Sequence, residues 1–176
     1  MRKDHLKDYI VAVSVHDTHR IAADLALMLY ERHERVRKKN RSKDFSETKG
    51  KVFVELNGIL GAGKTEFARA FIESWLKRAG DKLKEQVTSP TYNIARTYGE
   101  KTKLAHLDLY RLKTFAELEE MGFETYFYET DCCLVEWLEQ VPEAKKLIPH
   151  DSILARVALE IETENSRRIT ITENEI

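Results

Sequence analysis

Two rhythms of apolar positions alternate along the chain. Tyr9 to Val15, YIVAVSV, is apolar and β-branched enough for a short strand, and Asp17 or Thr18 offers a cap for a following helix. Ile21, Leu25, Met28 and Leu29 then repeat at helical spacing. From Arg35 the rhythm is lost in RVRKKNRSKDFSETKGK, and residues 36–50 are expected to form an exposed basic loop. KVFVELNG, Lys51 to Gly58, reads as a strand ending in glycine. The helix after it buries Phe67, Phe71, Trp75 and Leu76 and stops at Gly80.

The second half is richer in strands. QVTSPTY breaks at Pro90, and YNIARTYGEKTKLAHLDLY predicts two strands around a turn at Gly99. Thr114 and Glu117 form a capping box ahead of Leu118 and Met121. CCLVEW is a near-continuous apolar run, the pattern of a strand buried on both faces in a parallel sheet covered by helices. SILARVALEIETENSRRITITEN predicts two alternating strands around a polar turn at Glu164 to Ser166. Together these elements predict an α/β fold with a mostly parallel central sheet, flanking helices and a C-terminal β hairpin.

Composition narrows the class. The 176 residues suit one domain spanning 1–176, and 42% hydrophobic with 34% charged residues is the balance of a globular chain. The net charge of −1 excludes a globally basic nucleic-acid binder. No apolar run reaches the roughly 18 residues of a membrane span, and the charged start MRKDHLKDYI does not suit a signal peptide, so a cytoplasmic location is expected. Cys132 and Cys133 are adjacent within an apolar run and are expected in the core.

The chemistry is concentrated in GILGAGKT, Gly58 to Thr65. This G-x-x-x-x-G-K-T spacing lies between a predicted strand and a predicted helix. Such a loop offers successive backbone N–H groups to an anion at the positive end of a helix dipole. Gly58, Gly61 and Gly63 allow the backbone to approach phosphate oxygens. Lys64 supplies a point charge, and the Thr65 hydroxyl can ligate magnesium. Nucleotide chemistry also needs acids, and Asp108 and Glu136 each end an apolar strand. One is expected to contact the metal and the other to position the attacking water, and their spacing does not say which. His106, alone in a strand, reads as an ordinary packed residue. SPTY, Ser89 to Tyr92, suits a segment that senses the γ phosphate and equally a plain turn. Trp137 fits a packing role better than a stacking one.

GILGAGKT, TSPTYNIARTY, HLDLYRL and VEW, in this order and at these separations, resemble the TsaE family of P-loop ATPases in bacterial tRNA threonylcarbamoyladenosine biosynthesis. The resemblance extends to VSVHDTHRIAADLA near the start and to the closing hairpin. It implies a three-layer P-loop NTPase-like fold, binding of ATP and Mg2+, and weak hydrolysis by the chain alone. It also implies docking onto TsaD and TsaB, which modify adenosine 37 of tRNA, so that tRNA is met through the complex. Carried over by position, Lys64, Asp108 and Glu136 would be catalytic. Thr65, Glu136 and Asp108 would be the metal positions, Asp108 being the acid of the DLYR motif. Asp17, Thr18, Gly58, Gly61, Ala62, Gly63, Lys64, Thr65, Glu66, Ser89, Thr91 and Trp137 would bind the nucleotide.

This chain departs from the family pattern at Ile59, where Asp is usual, and at Glu66, where a second hydroxyl is common. The basic stretch before Lys51 is also longer than the connector expected. Two other readings fit the residues: a nucleoside or nucleotide kinase, since DLYR loosely resembles acid-and-arginine motifs near phosphates, and a nucleotide-responsive binding module.

Overall fold

The computed structural model of the chain describes residues 9–40, 50–91 and 93–175. Seven strands form one sheet: β1 (Ile10–Ala12), β2 (Val52–Asn57), β3 (Ala95–Tyr98), β4 (Leu104–Asp108), β5 (Cys132–Glu136), β6 (Ile153–Ile161) and β7 (Arg167–Glu175). Their order across the sheet is β1-β7-β6-β2-β5-β4-β3. The four central strands β6, β2, β5 and β4 run parallel, and antiparallel strands extend the sheet at both edges. Four helices accompany them: α1 (Val15–Asn40), α2 (Lys64–Arg78), α3 (Phe115–Glu120) and α4 (Phe123–Glu129).

The alternation of side chains along the strands sorts the core into two layers. Val52, Val54 and Leu56 of β2, with Cys132 and Leu134 of β5, face α1 and α2. Phe53 of β2, with Cys133 and Val135 of β5, packs on Leu118, Phe123 and Phe127 of α3 and α4 and on the 3₁₀ turns that follow β5. β4 and β5 are buried along their whole length, as an apolar strand covered on both faces must be. In α2, Phe67, Phe71, Trp75 and Leu76 form the buried stripe that their spacing predicts. Tyr30 of α1 meets Trp75 edge to face at 5.2 Å, joining the two helices. Both cysteines are free and buried, and burial pushes both thiols well above their ordinary range.

Local signals set most element ends. Thr114 and Glu117 form a reciprocal capping box at the start of α3, and the turn after α2 places Gly80 at a φ of 67°. Two boundaries differ from the sequence expectation. The strand expected over Tyr9–Val15 pairs only at Ile10–Ala12, and α1 is capped by Ser14, not by Asp17 or Thr18. The Ser14 hydroxyl accepts the Asp17 N–H at 3.1 Å, while the Asp17 carboxylate accepts the Val13 N–H at 3.2 Å. Asp17 is thus the acidic partner of a reciprocal cap three residues inside the helix.

The second difference is at the other end of α1. Arg35 to Asn40, expected as loop, is helical. Val36 packs against the core, Glu34 pairs with Arg37 at 3.3 Å and Lys38 at 3.7 Å, and three basic residues occupy the last turn, where the helix dipole favours them. A solvent-facing helix of this kind is held by charge and has little apolar period to read. The rest of the expected loop, residues 41–49, lies outside the described residues.

Candidate nucleotide-binding site

The parallel register brings the chemistry to one end of the sheet. β5 lies between β2 and β4, and Glu136 at its carboxyl end is level with Leu56 of β2 and with Asp108 of β4. The loop that leaves β2 and the two acids therefore open on one crevice at the strand ends, the position where open α/β sheets bind ligands.

The loop is shaped for close approach to an anion. Gly58 has a φ of 147°, and a Cβ there would stand 2.5 Å from the Leu159 carbonyl oxygen of β6. Gly63, the residue before α2, has a φ of 103° with open space where a Cβ would be, and the helix start has no side-chain cap. Its first N–H groups are thus offered outward. Lys64 is buried, with Nζ donating to the carbonyls of Gly58 at 2.7 Å and Ile59 at 3.2 Å and lying 3.9 Å from the centre of the Trp137 ring. Burial lowers the Lys64 pKa, while the charges of Glu136, Asp108 and Glu139 act against that shift. Its ammonium therefore has much to gain from an incoming polyphosphate.

The acids sit in different surroundings. Glu136 is 2% exposed, and its Oε1 accepts the Thr65 hydroxyl at 3.2 Å and lies 2.9 Å from His106 Nε2. Asp108 accepts the hydroxyls of Thr91 and, at 3.3 Å, Ser89, and the backbone N–H of Tyr110 at 3.0 Å. Neither acid pairs with a Lys or Arg among the described residues. Their direct partners are hydroxyls, an amide and an imidazole, and the Lys64 charge acts on both without a direct ion pair, so the two carboxylates form a receptive place for a cation. No group of three or more His, Cys, Asp or Glu side chains among the described residues is arranged as a metal site. A magnesium ion held by one or two carboxylates and substrate phosphates does not need such a cage, so the donor set fits it.

Next to both acids the backbone is strained. Trp137, directly after Glu136, has a φ of 61°, and Ile94, whose carbonyl accepts the Asp108 N–H at 2.9 Å, has a φ of 64°. Left-handed backbone at a β-branched residue is costly and concentrates at functional sites.

A cavity of about 360 Å³ gathers most of the expected residues: Gly61, Gly63, Lys64, Thr65, Glu66, Ser89, Thr91, Asp108, Glu136 and Trp137. A second cavity of about 580 Å³, across the loop, is walled by Thr18, Ala62 and Glu66, with Val13, Ser14 and the Glu164–Arg167 turn. Gly58 acts through its carbonyl on Lys64, and Asp17, engaged in the helix cap, lines neither cavity. Glu66 borders both cavities and is held between His19 at 3.0 Å and Arg69 at 3.2 Å. Tyr92 lies outside the described residues.

Two residues that matter here, Tyr110 and Arg167, have no role in the sequence reading, and a third, His106, reads there as merely packed. His106 shares the face of Asp108 by its i, i+2 spacing, a signal available in HLD, yet its contact with Glu136 needs the β4–β5 register. Tyr110, whose ring packs at 5.0 Å from Trp137, lines the first cavity. Arg167 reaches the loop from the distant hairpin, and no local pattern announces it.

The fold and this site define a P-loop nucleotide-binding protein. Residues 14–169 match the family described as "Threonylcarbamoyl adenosine biosynthesis protein TsaE". The chain belongs to the TsaE family. It is 37% identical to the Rickettsia bellii tRNA threonylcarbamoyladenosine biosynthesis protein TsaE over 138 residues, which span 76% of this chain and 87% of that protein. It is 39% identical to the Haemophilus influenzae protein of the same name over 109 residues, 59% of this chain and 65% of the relative, just under two thirds of its length. The crystal structure of Bacillus subtilis YdiB has the same fold, with a TM-score of 0.55 at 21% identity over 94% of this chain and 84% of that one. No helix among the described residues is long and apolar enough to cross a membrane.

Proposed function

We propose that this chain binds ATP with Mg2+, hydrolyses it weakly by itself, and through that turnover drives the TsaD and TsaB proteins in threonylcarbamoyladenosine modification of tRNA. The observation that carries the reading is the meeting of Lys64, Thr65, Glu136 and Asp108 at aligned strand ends. The names of the relatives, tRNA threonylcarbamoyladenosine biosynthesis proteins, support the pathway.

Each residue has a role set by its surroundings. The N–H groups at the start of α2 and the Lys64 ammonium bind the β and γ phosphates. Thr65 and Glu136, already 3.2 Å apart, hold the magnesium, which when bound offsets charge on the phosphate oxygens. Asp108, tied to Ser89 and Thr91, orients the attacking water and links it to the 89–91 segment that senses the γ phosphate. Thr18 and Glu66 wall the second cavity, which takes the nucleoside. The cytoplasm is the proposed location.

Reconstitution with TsaD, TsaB, ATP and unmodified tRNA tests this. ATP turnover is expected to rise when the partners are added, and Lys64→Ala to abolish modification. Phosphate transfer to a free nucleoside, independent of the partners, would sink the proposal.

A further inference from the structure

The phosphate loop has few contacts of its own. Ile59 and Leu60 at its tip are 65% and 73% exposed, and Gly61 and Gly63 have open space where side chains would be. Ala62 buries its methyl group, and one turn bond joins the Ala62 N–H to the Ile59 carbonyl at 3.1 Å. Lys64 holds the Gly58 and Ile59 carbonyls, whereas those of Gly61 and Ala62 are held from the opposite end of the chain.

Arg167, at the first position of β7, donates Nε to the Ala62 carbonyl at 3.1 Å and Nη2 to the Gly61 carbonyl at 3.4 Å. Its Nη1 meets the carbonyls of Thr163, Glu164 and Ser166 at 3.1, 3.2 and 3.0 Å. One planar guanidinium thus ties the hairpin turn to the loop, a task that suits its rigid fork of donors. In a trans peptide the C=O and N–H point in opposite directions. Holding the Ala62 carbonyl toward the hairpin therefore turns the Gly63 N–H the other way, at the start of α2 where an anion is received. The Arg167 charge forms no ion pair among the described residues, so its field adds to that of the helix terminus.

We propose that Arg167 is a positioning residue of the phosphate loop: it holds the Gly61 and Ala62 carbonyls and so fixes the loop with the Gly63 N–H facing the nucleotide's phosphates. The inference rests on the phosphate-binding reading of the loop. It also makes the 164–166 turn, which walls the second cavity, part of the machinery that shapes the loop.

The test compares Arg167→Ala and Arg167→Lys with Arg168→Ala. Arg168 pairs with Glu162 and Glu160 on the same hairpin and serves as the control. Hydrogen exchange of the residue 58–65 amides is measured without nucleotide, and affinity is measured for ATP and for adenosine. Both Arg167 variants are expected to exchange faster at 61–65 and to bind ATP on the order of tenfold more weakly, the loss of about one charge-assisted hydrogen bond. Because Arg167 also lines the second cavity, adenosine binding weakens too, but by a smaller factor than ATP binding, and Arg168→Ala resembles wild type in every readout. Lysine keeps the charge but cannot span both sets of carbonyls, so Arg167→Lys decides the matter if Arg167→Ala does not fold. An Arg167→Lys protein whose loop exchange and ATP affinity equal those of Arg168→Ala overturns the inference. A wild-type protein that binds no ATP overturns the proposed function instead, and the exchange measurement still judges Arg167.

Discussion

Glu55 and Glu136 look alike in the sequence and nearly alike in burial, yet the molecule treats them in opposite ways. Each lies in an apolar strand, in FVEL and LVEW, on neighbouring β2 and β5, and they are 3% and 2% exposed. Glu55 faces the α3 and α4 side, where Lys145 Nζ lies 3.1 Å from one oxygen and Arg156 Nε 2.9 Å from the other. Glu136 faces the opposite layer, with a hydroxyl and an imidazole for partners. A buried charge tied by two direct ion pairs is an architectural clip, whereas Glu136, which feels the Lys64 charge without a direct ion pair, is receptive to a cation that arrives with a ligand. Asp81 is a third solution: a half-buried carboxylate that accepts four backbone N–H groups, those of Lys82, Glu100, Lys101 and Thr102.

If this contrast is right, exchanging each carboxylate for its neutral isostere separates function from stability. The largest effect is expected for Glu136→Gln: ATP turnover falls about 100-fold, equivalent to roughly 2.7 kcal/mol of transition-state stabilisation, while the thermal midpoint changes little. Steady-state kinetics beside a melting curve checks both halves. Glu55→Gln is expected to invert that result. Its loss strands Lys145 and Arg156, but both are well exposed to water, so the cost is about 1–2 kcal/mol in urea unfolding, with turnover within about twofold of wild type. Equal activity losses for the two variants would erase the distinction.

Thr91→Val sharpens the account of the other acid. It removes one hydroxyl from Asp108 and is expected to lower turnover about tenfold with little change in ATP affinity. A rise in KM without a fall in kcat would place Thr91 in ground-state binding instead.

The smallest effect is expected at Asp81. Hydrogen bonds from backbone N–H groups, that of Thr102 foremost, hold its carboxyl well below the ordinary value of 3.8. A group depressed in the folded state contributes its stability above the unfolded pKa and loses it as pH falls from there toward the folded one. Asp81→Asn should therefore lower the urea midpoint at pH 6, and the gap to wild type should begin to narrow only as pH falls below about 3.8. Parallel curves across that range would show that the Asp81 charge contributes nothing.

Where the chain's own neighbours set the geometry, the sequence was legible. The capping box at Thr114, the hairpin turn at Glu164–Ser166 and the α2 stripe all depend on residues a few positions apart. The end of α1 was not legible, because a solvated helix held by Glu34, Arg37 and Lys38 has charge and almost no apolar rhythm. His106 reads in the sequence as an ordinary packed residue, and it is buried, but its contact with Glu136 was not legible because it depends on a partner from another strand.

By itself the sequence determined that a loop able to cradle phosphates leaves a strand and opens a helix, because that grip is made by consecutive backbone N–H groups. It also placed two acids at strand ends. Only the tertiary structure decided that Glu136 stands beside Thr65, that Asp108 belongs to Ser89 and Thr91, that Glu55 is neutralised, and that Arg167 holds a loop 105 residues away. The physical reason is that a buried charge takes its meaning from what compensates it, and compensation is chosen by strand register and packing between distant segments.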